Sequence, residues 1–281
     1  MTVAGLDVGG SVTKGVLINR NKILSLSEVQ SSDPIASAMG CLAKLLAESE
    51  TKIRGLSEIA LTGSLARKFK LDAMEVNYNF VNEIDAIGVG GLYLSQKNEA
   101  IVVSVGTGTA IVHAKIEEGR YVIEHLGGTG IGGGTLVGLS KLLLNKDQPT
   151  TVFKMAKLGD ISKTSLLVFD IVAGPLGKIP ASATASNFGK VGDDTKPEDI
   201  ALGLITMVAQ TVATMAYFAA KEKNLGNEIV FVGKLPSQEL FAEKLIETLK
   251  VFGTTTEIPK NAPYATAIGA AKARVPNMGF C

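Results

Sequence analysis

Cysteine, histidine and tryptophan are scarce in this 281-residue chain, which has two Cys (Cys41 and Cys281), two His (His113 and His125) and no Trp. Two cysteines form neither a metal-ligand spacing nor a disulfide framework, and this fits a reducing compartment. Two histidines exclude a three-His metal centre, and the sequence has no Gly-x-Ser-x-Gly elbow to support a Ser/His/Asp hydrolase. An excess of charge is also missing: 28 Lys+Arg against 27 Asp+Glu leave +1. Bulk charge therefore speaks against a nucleic-acid or membrane-surface protein. The residues from Met1 to Asp7 lack the basic and hydrophobic regions of a signal peptide, so a cytoplasmic protein is expected. The one long uncharged run, Ile200 to Ala220, would reach across a bilayer. It holds Thr206, Gln210, Thr211 and Thr214, however, and its flanks Asp199 and Lys221 match a helix dipole, which predicts a buried central helix instead. With 46% hydrophobic and 20% charged residues, the composition is that of a soluble globular α/β protein.

Glycine is plentiful, at 31 residues, and clustered: Gly9-Gly10, Gly88 to Gly91, Gly106-Thr107-Gly108 and Gly127 to Gly134. The first segment reads as strand (Val3 to Asp7), turn (Gly9 to Ser11), strand (Lys14 to Ile18) and a third strand (Lys22 to Val29). A helix then starts at Ser32-Asp33-Pro34 and runs to about Ser49. Leu56 to Leu61 reads as a strand, and Asn82 as the cap of a helix beginning with Glu83. Ile101 to Val112 repeats the opening strand, Gly turn and strand, so one supersecondary unit is used twice. Arg120 to Leu126 is a third strand there, followed by a helix from about Gly134. Beyond lie a mostly irregular stretch (Asp160 to Lys190), the long helix near 200–222, a strand (Glu228 to Val232), a helix beginning at Gly233 to Pro236 and a small-residue helix (Ala262 to Lys272). Two lobes with a tight junction are expected, over residues 1–97 and 98–281.

Gly-rich turns present backbone N–H groups with no Cβ in the way, as anion binding requires. If the two halves pack face to face, both hairpin turns point into one cleft, which suits a nucleotide's phosphates. The Gly127 to Gly134 run leads into a helix and could receive an adenosine or α-phosphate there. No Walker A loop is present, and Gly128-x-Gly130-x-x-Gly133 alone is weak evidence for a dinucleotide site. Asp7, at the end of the first strand, is placed to hold Mg²⁺ or its water beside the phosphates; the alternative is a turn residue capping its own backbone. Lys14 either neutralises a phosphate or is a solvated strand-end lysine. Glu83, at a helix start, is the strongest candidate to accept a hydroxyl proton, with Asp85 as substitute. Its bland alternative is an acidic residue favoured by the helix dipole. His113 reads as structural and His125 as a cleft residue.

Four motifs together resemble the type II pantothenate kinases of the actin-like ATPase superfamily. They are Leu6-Asp7-Val8-Gly9-Gly10-Ser11-Val12-Thr13-Lys14, Ser104-Val105-Gly106-Thr107-Gly108-Thr109, Gly127-Gly128-Thr129-Gly130-Ile131-Gly132-Gly133-Gly134-Thr135 and Ala183 to Val191 (with Ser186-Asn187-Phe188-Gly189). The first two are shared widely by actin-like folds, and the last two are the specific ones. The resemblance runs from the first strand to the C-terminal helix. It implies an α/β, two-lobed actin-like (ribonuclease H-like) fold with duplicated βββαβαβα units around a nucleotide cleft. It also implies a cytoplasmic homodimer that uses ATP and Mg²⁺ to phosphorylate the terminal hydroxyl of pantothenate, the first step toward coenzyme A. By the same resemblance Glu83, in Glu83-Ile84-Asp85-Ala86, is the catalytic base. Asp7, Gly9, Gly10, Ser11, Lys14, Gly106, Thr107, Gly108 and Thr109 hold the phosphates, with Asp7 on the metal. Gly128, Thr129, Gly130, Gly132, Gly133 and Gly134 line the nucleotide pocket, and His125 and Asn187 meet the substrate.

There is one departure from the family pattern. Where the family has an Arg before the third Gly run, this chain has His125, which cannot make the permanently charged, bidentate contact of Arg. Two alternatives stay open: a kinase of the same fold acting on pantetheine or a sugar, and a nucleotide-binding relative without chemistry. The zinc motif of ROK sugar kinases is absent, and Cys41 and Cys281 do not form the paired cysteines of the dehydratase-activating ATPases.

Overall fold

The computed structural model of the chain describes residues 1–31, 33–66 and 76–273. Ser32, Cys281 and the tail from Pro276 lie outside the described residues. The first half runs β1 (Thr2–Val8), β2 (Val12–Asn19), β3 (Lys22–Gln30), α1 (Pro34–Glu48), β4 (Glu58–Thr62), β5 (Tyr78–Phe80) and α2 (Glu83–Ser95). The second half opens with β6 (Glu99–Val105), β7 (Thr109–Glu117), β8 (Arg120–Thr129) and α3 (Gly133–Leu144). It then inserts α4 (Pro149–Ala156), β9 (Leu166–Leu167), α5 (Val168–Val172) and β10 (Thr184–Ser186). It closes with α6 (Pro197–Glu222), β11 (Ile229–Val232), α7 (Glu239–Val251), β12 (Thr256–Glu257) and α8 (Ala265–Ala273). The sheets have the orders β3-β2-β1-β4-β5 and β12-β11-β6-β7-β8. The second order, reversed, repeats the first: a three-strand meander, then two strands added in parallel beside the first strand of the meander. This is the duplicated unit expected from the sequence.

Local signals account for several boundaries. Asp33 caps α1 by accepting from the Ala36 N–H at 2.7 Å, with Pro34 in the first turn. Asn82 caps α2 through the Ile84 N–H at 2.8 Å. The uncharged run becomes α6, whose inner side packs into the second sheet's core with Leu204, Ile205, Val208, Val212 and Ala216. It is the one described helix long and apolar enough to cross a membrane, and most of its apolar window is buried in the protein. The segment from Gly233 departs from expectation: residues 234–237 form a turn, and α7 starts only at Glu239. Gly233 sits at φ +105° with its Cα against the Val105 backbone, a conformation that cannot begin a helix. The stretch 160–190 is less irregular than expected, since it holds the β9–β10 pair and α5.

The layers run α1, first sheet, α8 with α2, second sheet, then α3, α6 and α7. The two middle helices are exchanged between the halves. Ala267, Ile268, Ala270 and Ala271 of α8 pack on Val3, Val16, Ile18 and Ala60 of the first sheet. Ile87 and Leu92 of α2 pack on Val102, Val112, Ala114 and Val230 of the second. They cross backbone to backbone: a Cβ on Gly90 would lie 1.9 Å from the Ala265 carbonyl oxygen, and one on Gly269 1.7 Å from that of Ala86. The same spacing, Asn82-x₃-Ala86-x₃-Gly90 and Asn261-x₃-Ala265-x₃-Gly269, serves both helices, so the duplication extends to their contact. The Gly88 to Gly91 cluster thus serves packing, with Gly88 under Ile123 and Gly91 under Val102. Gly269→Ala must push the helices apart, at a cost of about 2 kcal/mol or more from overpacking. Thermal or urea unfolding checks this, and a variant as stable as the parent contradicts the tight crossing.

Candidate active site

The cleft lies where the central strands of both sheets end. In the first sheet Thr62, Asp7, Lys14 and Glu28 stand directly opposite one another on β4, β1, β2 and β3. Residues in register share one face, and two positions along the strands that face carries Gly5, Val16 and Ala60, with Val3 two further, packed against α8. A row of polar groups thus looks toward the middle of the molecule at the mouth of the cleft. Asp7 is deep in it: burial raises its carboxyl to about 7, Lys14 opposes that shift and the nearby Glu83 charge adds to it. Gly63, at φ +95°, leaves room for the carboxylate, since a Cβ there would be 2.7 Å from Asp7 Oδ1. Burial lowers the Lys14 amine, while Asp7 holds it up. The Thr62 hydroxyl, buried beside Asp7, has no hydrogen-bond partner among the described residues.

Glu83 opens α2 right after its cap and faces the cleft, where surrounding protein raises its carboxyl above the ordinary range. Asp85 is raised for the same reason. Asp7 and Glu83 are close enough to act on each other electrostatically, so the structure brings the expected metal residue and the expected base together. His125 lies exposed on β8, opposite Val112. Along β8, Tyr121 lies by Tyr93 and Ile123 against Gly88. The α2 start that carries Glu83 therefore points toward the His125 end of the strand.

The second turn and the third Gly run form one unit. Gly133 and Gly134 donate their N–H groups to the carbonyls of Gly106 and Thr107, both at 2.8 Å. Gly132 N–H bonds the Thr135 hydroxyl at 3.2 Å, and Thr109 Oγ1 donates to the Ile131 carbonyl at 2.8 Å. A Cβ on Gly132 would meet the Thr107 carbonyl oxygen at 2.7 Å, and one on Gly128 the Thr109 carbonyl oxygen at 2.2 Å. The start of α3 is thus engaged with the hairpin turn, to which its Gly133 and Gly134 N–H groups are committed, while that of Gly132 is taken by Thr135. Open space lies instead beyond Gly10, Gly106, Gly127 and Gly130, where an added Cβ meets nothing within 4 Å. In the first turn Ser11 is exposed, its carbonyl accepts the Ser31 N–H at 2.9 Å, and Gly9 sits tightly over Val12.

Asn187 is held elsewhere. Its Nδ2 donates to Gln210 on α6 at 3.2 Å, its buried Oδ1 has no partner, and no contact joins it to Asp7 or Glu83 among the described residues. His113 is tied to Glu99 at 2.8 Å, with Glu124 at 3.6 Å and Lys223 on Glu124, a surface network beside the second sheet. The Cys41 thiol is buried and pushed up to about 11, hence inert. Sequence reasoning missed Thr62, Gly63, Glu28 and Lys234. Gly63 leaves a signal, since it follows a short apolar strand; the charged pair, Glu28 and Lys234, leaves none.

These features have counterparts among known proteins. The profile of the family described as Fumble matches residues 95–271. Type II pantothenate kinase from Bacillus anthracis is 30% identical over 277 residues, covering 95% of each chain. The enzyme of that name from Oceanobacillus iheyensis is 31% identical over 275 residues, covering 95% of this chain and 97% of its own. The chain belongs to the type II pantothenate kinase family. The fold of this family member is also found in solved structures at only 15% identity. The activator of 2-hydroxyisocaproyl-CoA dehydratase from Clostridium difficile, bound to ADPNP, covers 96% of this chain and 93% of its own at a TM-score of 0.65. The ROK hexokinase from Thermus thermophilus gives 0.58, covering 97% and 98%. The actin-like ATPase fold expected from the sequence is therefore present.

The raised Asp7 carboxyl makes a stability prediction for the pantothenate kinase relative alone, without nucleotide. Its folded value lies above its unfolded value of 3.8, so the fold loses stability as pH rises from about 4 to about 7, and the cost is constant above. Asp7→Asn removes that cost. The variant should exceed the parent by about 1–3 kcal/mol at pH 8, less than the full shift implies because Lys14 loses its neighbouring charge. The difference should vanish near pH 4. Urea unfolding at both pH values checks this, and a pH-independent difference would falsify it.

Proposed function

We propose that this chain transfers the γ-phosphoryl group of Mg-ATP to the terminal hydroxyl of pantothenate, the first step toward coenzyme A. The observation that carries the reading is the pairing of Asp7 and Glu83 in a cleft bounded by two open glycine turns. Membership of the family supplies the substrate. Residues 1–97 and 98–281 would be the two lobes. Phosphoryl transfer asks for positioning and charge neutralisation more than covalent chemistry. Gly9, Gly10 and Ser11 on one side and Gly106, Thr107, Gly108 and Thr109 on the other would fix the phosphates, with Lys14 neutralising one of them. Gly127, Gly128, Thr129 and Gly130 would line the nucleotide.

A divalent cation fits the donor set. Among the described residues no three His, Cys, Asp or Glu side chains cluster to hold a metal. Mg²⁺ commonly uses one or two carboxylates, several waters and substrate phosphates, rather than an all-protein cage. Asp7 offers the carboxylate, and the unpartnered Thr62 hydroxyl offers a hydrogen bond to a hydrating water. When bound, the ion neutralises charge on the phosphates. Glu83, raised by its surroundings toward the pH at which a base works well, would take the hydroxyl proton as the oxygen attacks. His125 would orient the substrate.

We further place the enzyme in the cytoplasm as a homodimer. Support for self-association is the apolar surface of the second half, where Leu142, Leu158, Phe169, Ile171, Leu176 and Phe218 are exposed. His125 favours one second reading: lacking the fixed charge of Arg, the site could prefer pantetheine, which has no carboxylate. ADP release from Mg-ATP with pantothenate and with pantetheine separates the two. Glu83→Gln should lower kcat about 10²–10⁴-fold while leaving ADP affinity intact, the loss expected of a general base. Unchanged turnover would remove Glu83 from that role. Turnover with pantetheine alone would overturn the pantothenate reading.

A further inference from the structure

The phosphate reading uses Lys14 but leaves a second lysine of the cleft without a task. Lys234 follows Gly233 at the end of β11, and a Cβ on Gly233 would lie 2.4 Å from the Val105 carbonyl oxygen. The backbone before Lys234 is therefore pinned beside the strand end that carries the Gly106–Gly108 turn. Its side chain reaches the other half of the molecule, with Nζ 3.0 and 3.3 Å from the two carboxylate oxygens of Glu28. Glu28 stands opposite Lys14 in the β2–β3 register, and Lys234 is close enough that its charge depresses the Lys14 amine. Two cations, one from each half, thus gather around one carboxylate at the phosphate turns.

We propose that Lys234 is a second polyphosphate-binding cation of this cleft, for which Glu28 and the phosphates of the nucleotide compete. The inference rests on the kinase reading and extends it to a residue outside the glycine motifs. The arrangement favours exchange over a fixed strut. Lys234 and Glu28 are about half exposed, at 52% and 42% of the side chain, and such pairs hold weakly. A diphosphate or triphosphate offers several negative charges where Glu28 offers one. An ammonium on a flexible stem binds phosphate as a point charge and needs no fixed fork geometry. Glu28 is then a competitor that limits affinity, and its removal should help binding.

That opposition in sign is the test. Mg-ADP and Mg-ATP binding is measured by calorimetry on the full chain and on the Lys234→Met and Glu28→Gln variants, with thermal melts as a check on folding. Lys234→Met should weaken both nucleotides about tenfold, the loss of one charge-assisted contact. Glu28→Gln should tighten them about two- to threefold, the release of one exposed ion pair. Lys234→Arg should retain most of the affinity. Nucleotide affinity within twofold of the parent for Lys234→Met would overturn the proposal. Weakening by both variants would also overturn it, making the pair a strut between the halves. Failure of the parent chain to bind either nucleotide would overturn the nucleotide reading itself, and this inference with it.

Discussion

The approach of α2 to α8 sets the geometry on which the cleft depends. Two helices can come this close only where each has a residue without a side chain at the crossing, and Gly90 and Gly269 supply that against the carbonyls of Ala265 and Ala86. Each helix then covers the sheet of the other half, so neither sheet can move without carrying a helix that belongs to its neighbour. The exchange also brings the start of α2 to the ends of the first-sheet strands. Glu83 is near Asp7 because Gly90, two turns further along, lies on the α8 backbone. The base candidate and the metal candidate are separated by 76 positions of sequence, and the distance between them in space is a packing property.

The same packing makes the carboxylate at Asp7 expensive to ionise. A buried acid whose strongest influence is desolvation opposes folding at neutral pH. Such a group is tolerated where a ligand with complementary charge compensates for it, and this is how strained or unsatisfied groups gather at active sites. Lys14 compensates in part. The unpartnered Thr62 hydroxyl on the next strand belongs to the same pattern, since a buried donor without an acceptor costs stability until something accepts from it.

Much of this was legible in the sequence, and what was not has physical reasons. The meander, the Asp33 cap, the buried character of α6 and the repeated Gly turn all follow from local patterns: alternation, a capping side chain before proline, uncharged length with polar interruptions. β5, β12, β9 and β10 are two or three residues long and α5 only five, too short for periodicity to register. α4 has a usable signal in Pro149 in its first turn, but at eight residues it is short for periodicity to register. The Gly127 to Gly134 run leads into a helix and suggests N–H groups for a ligand there; the structure commits those of Gly133 and Gly134 to the second turn and that of Gly132 to Thr135, and composition cannot separate a glycine that opens space from one that lets backbones touch. Lys234 and Glu28 lie 206 positions apart, and nothing local to either announces the pair.

The duplicated scaffold also explains why so little of it is chemically active. The first-sheet row Thr62, Asp7, Lys14 and Glu28 has an equivalent in the second sheet: Val232, Ser104, Ala110 and Gly128, paired in the same positions of the same strands. One row is polar and charged, and the other is small and uncharged. Both halves keep the positive-φ glycine at the end of the fourth strand, Gly63 and Gly233, each pressed on the backbone of the first strand, because the turn geometry requires it in either case. Chain geometry was thus retained in both copies while charge was concentrated in one. A polyanion lying between two charged rows would meet Asp7-like carboxylates on both sides and be repelled. Between a charged row and a small one, it meets Lys14 and the metal candidate Asp7 on one side and close-approaching backbone on the other. The functional division between the halves is therefore carried by side chains on equivalent positions of one repeated backbone.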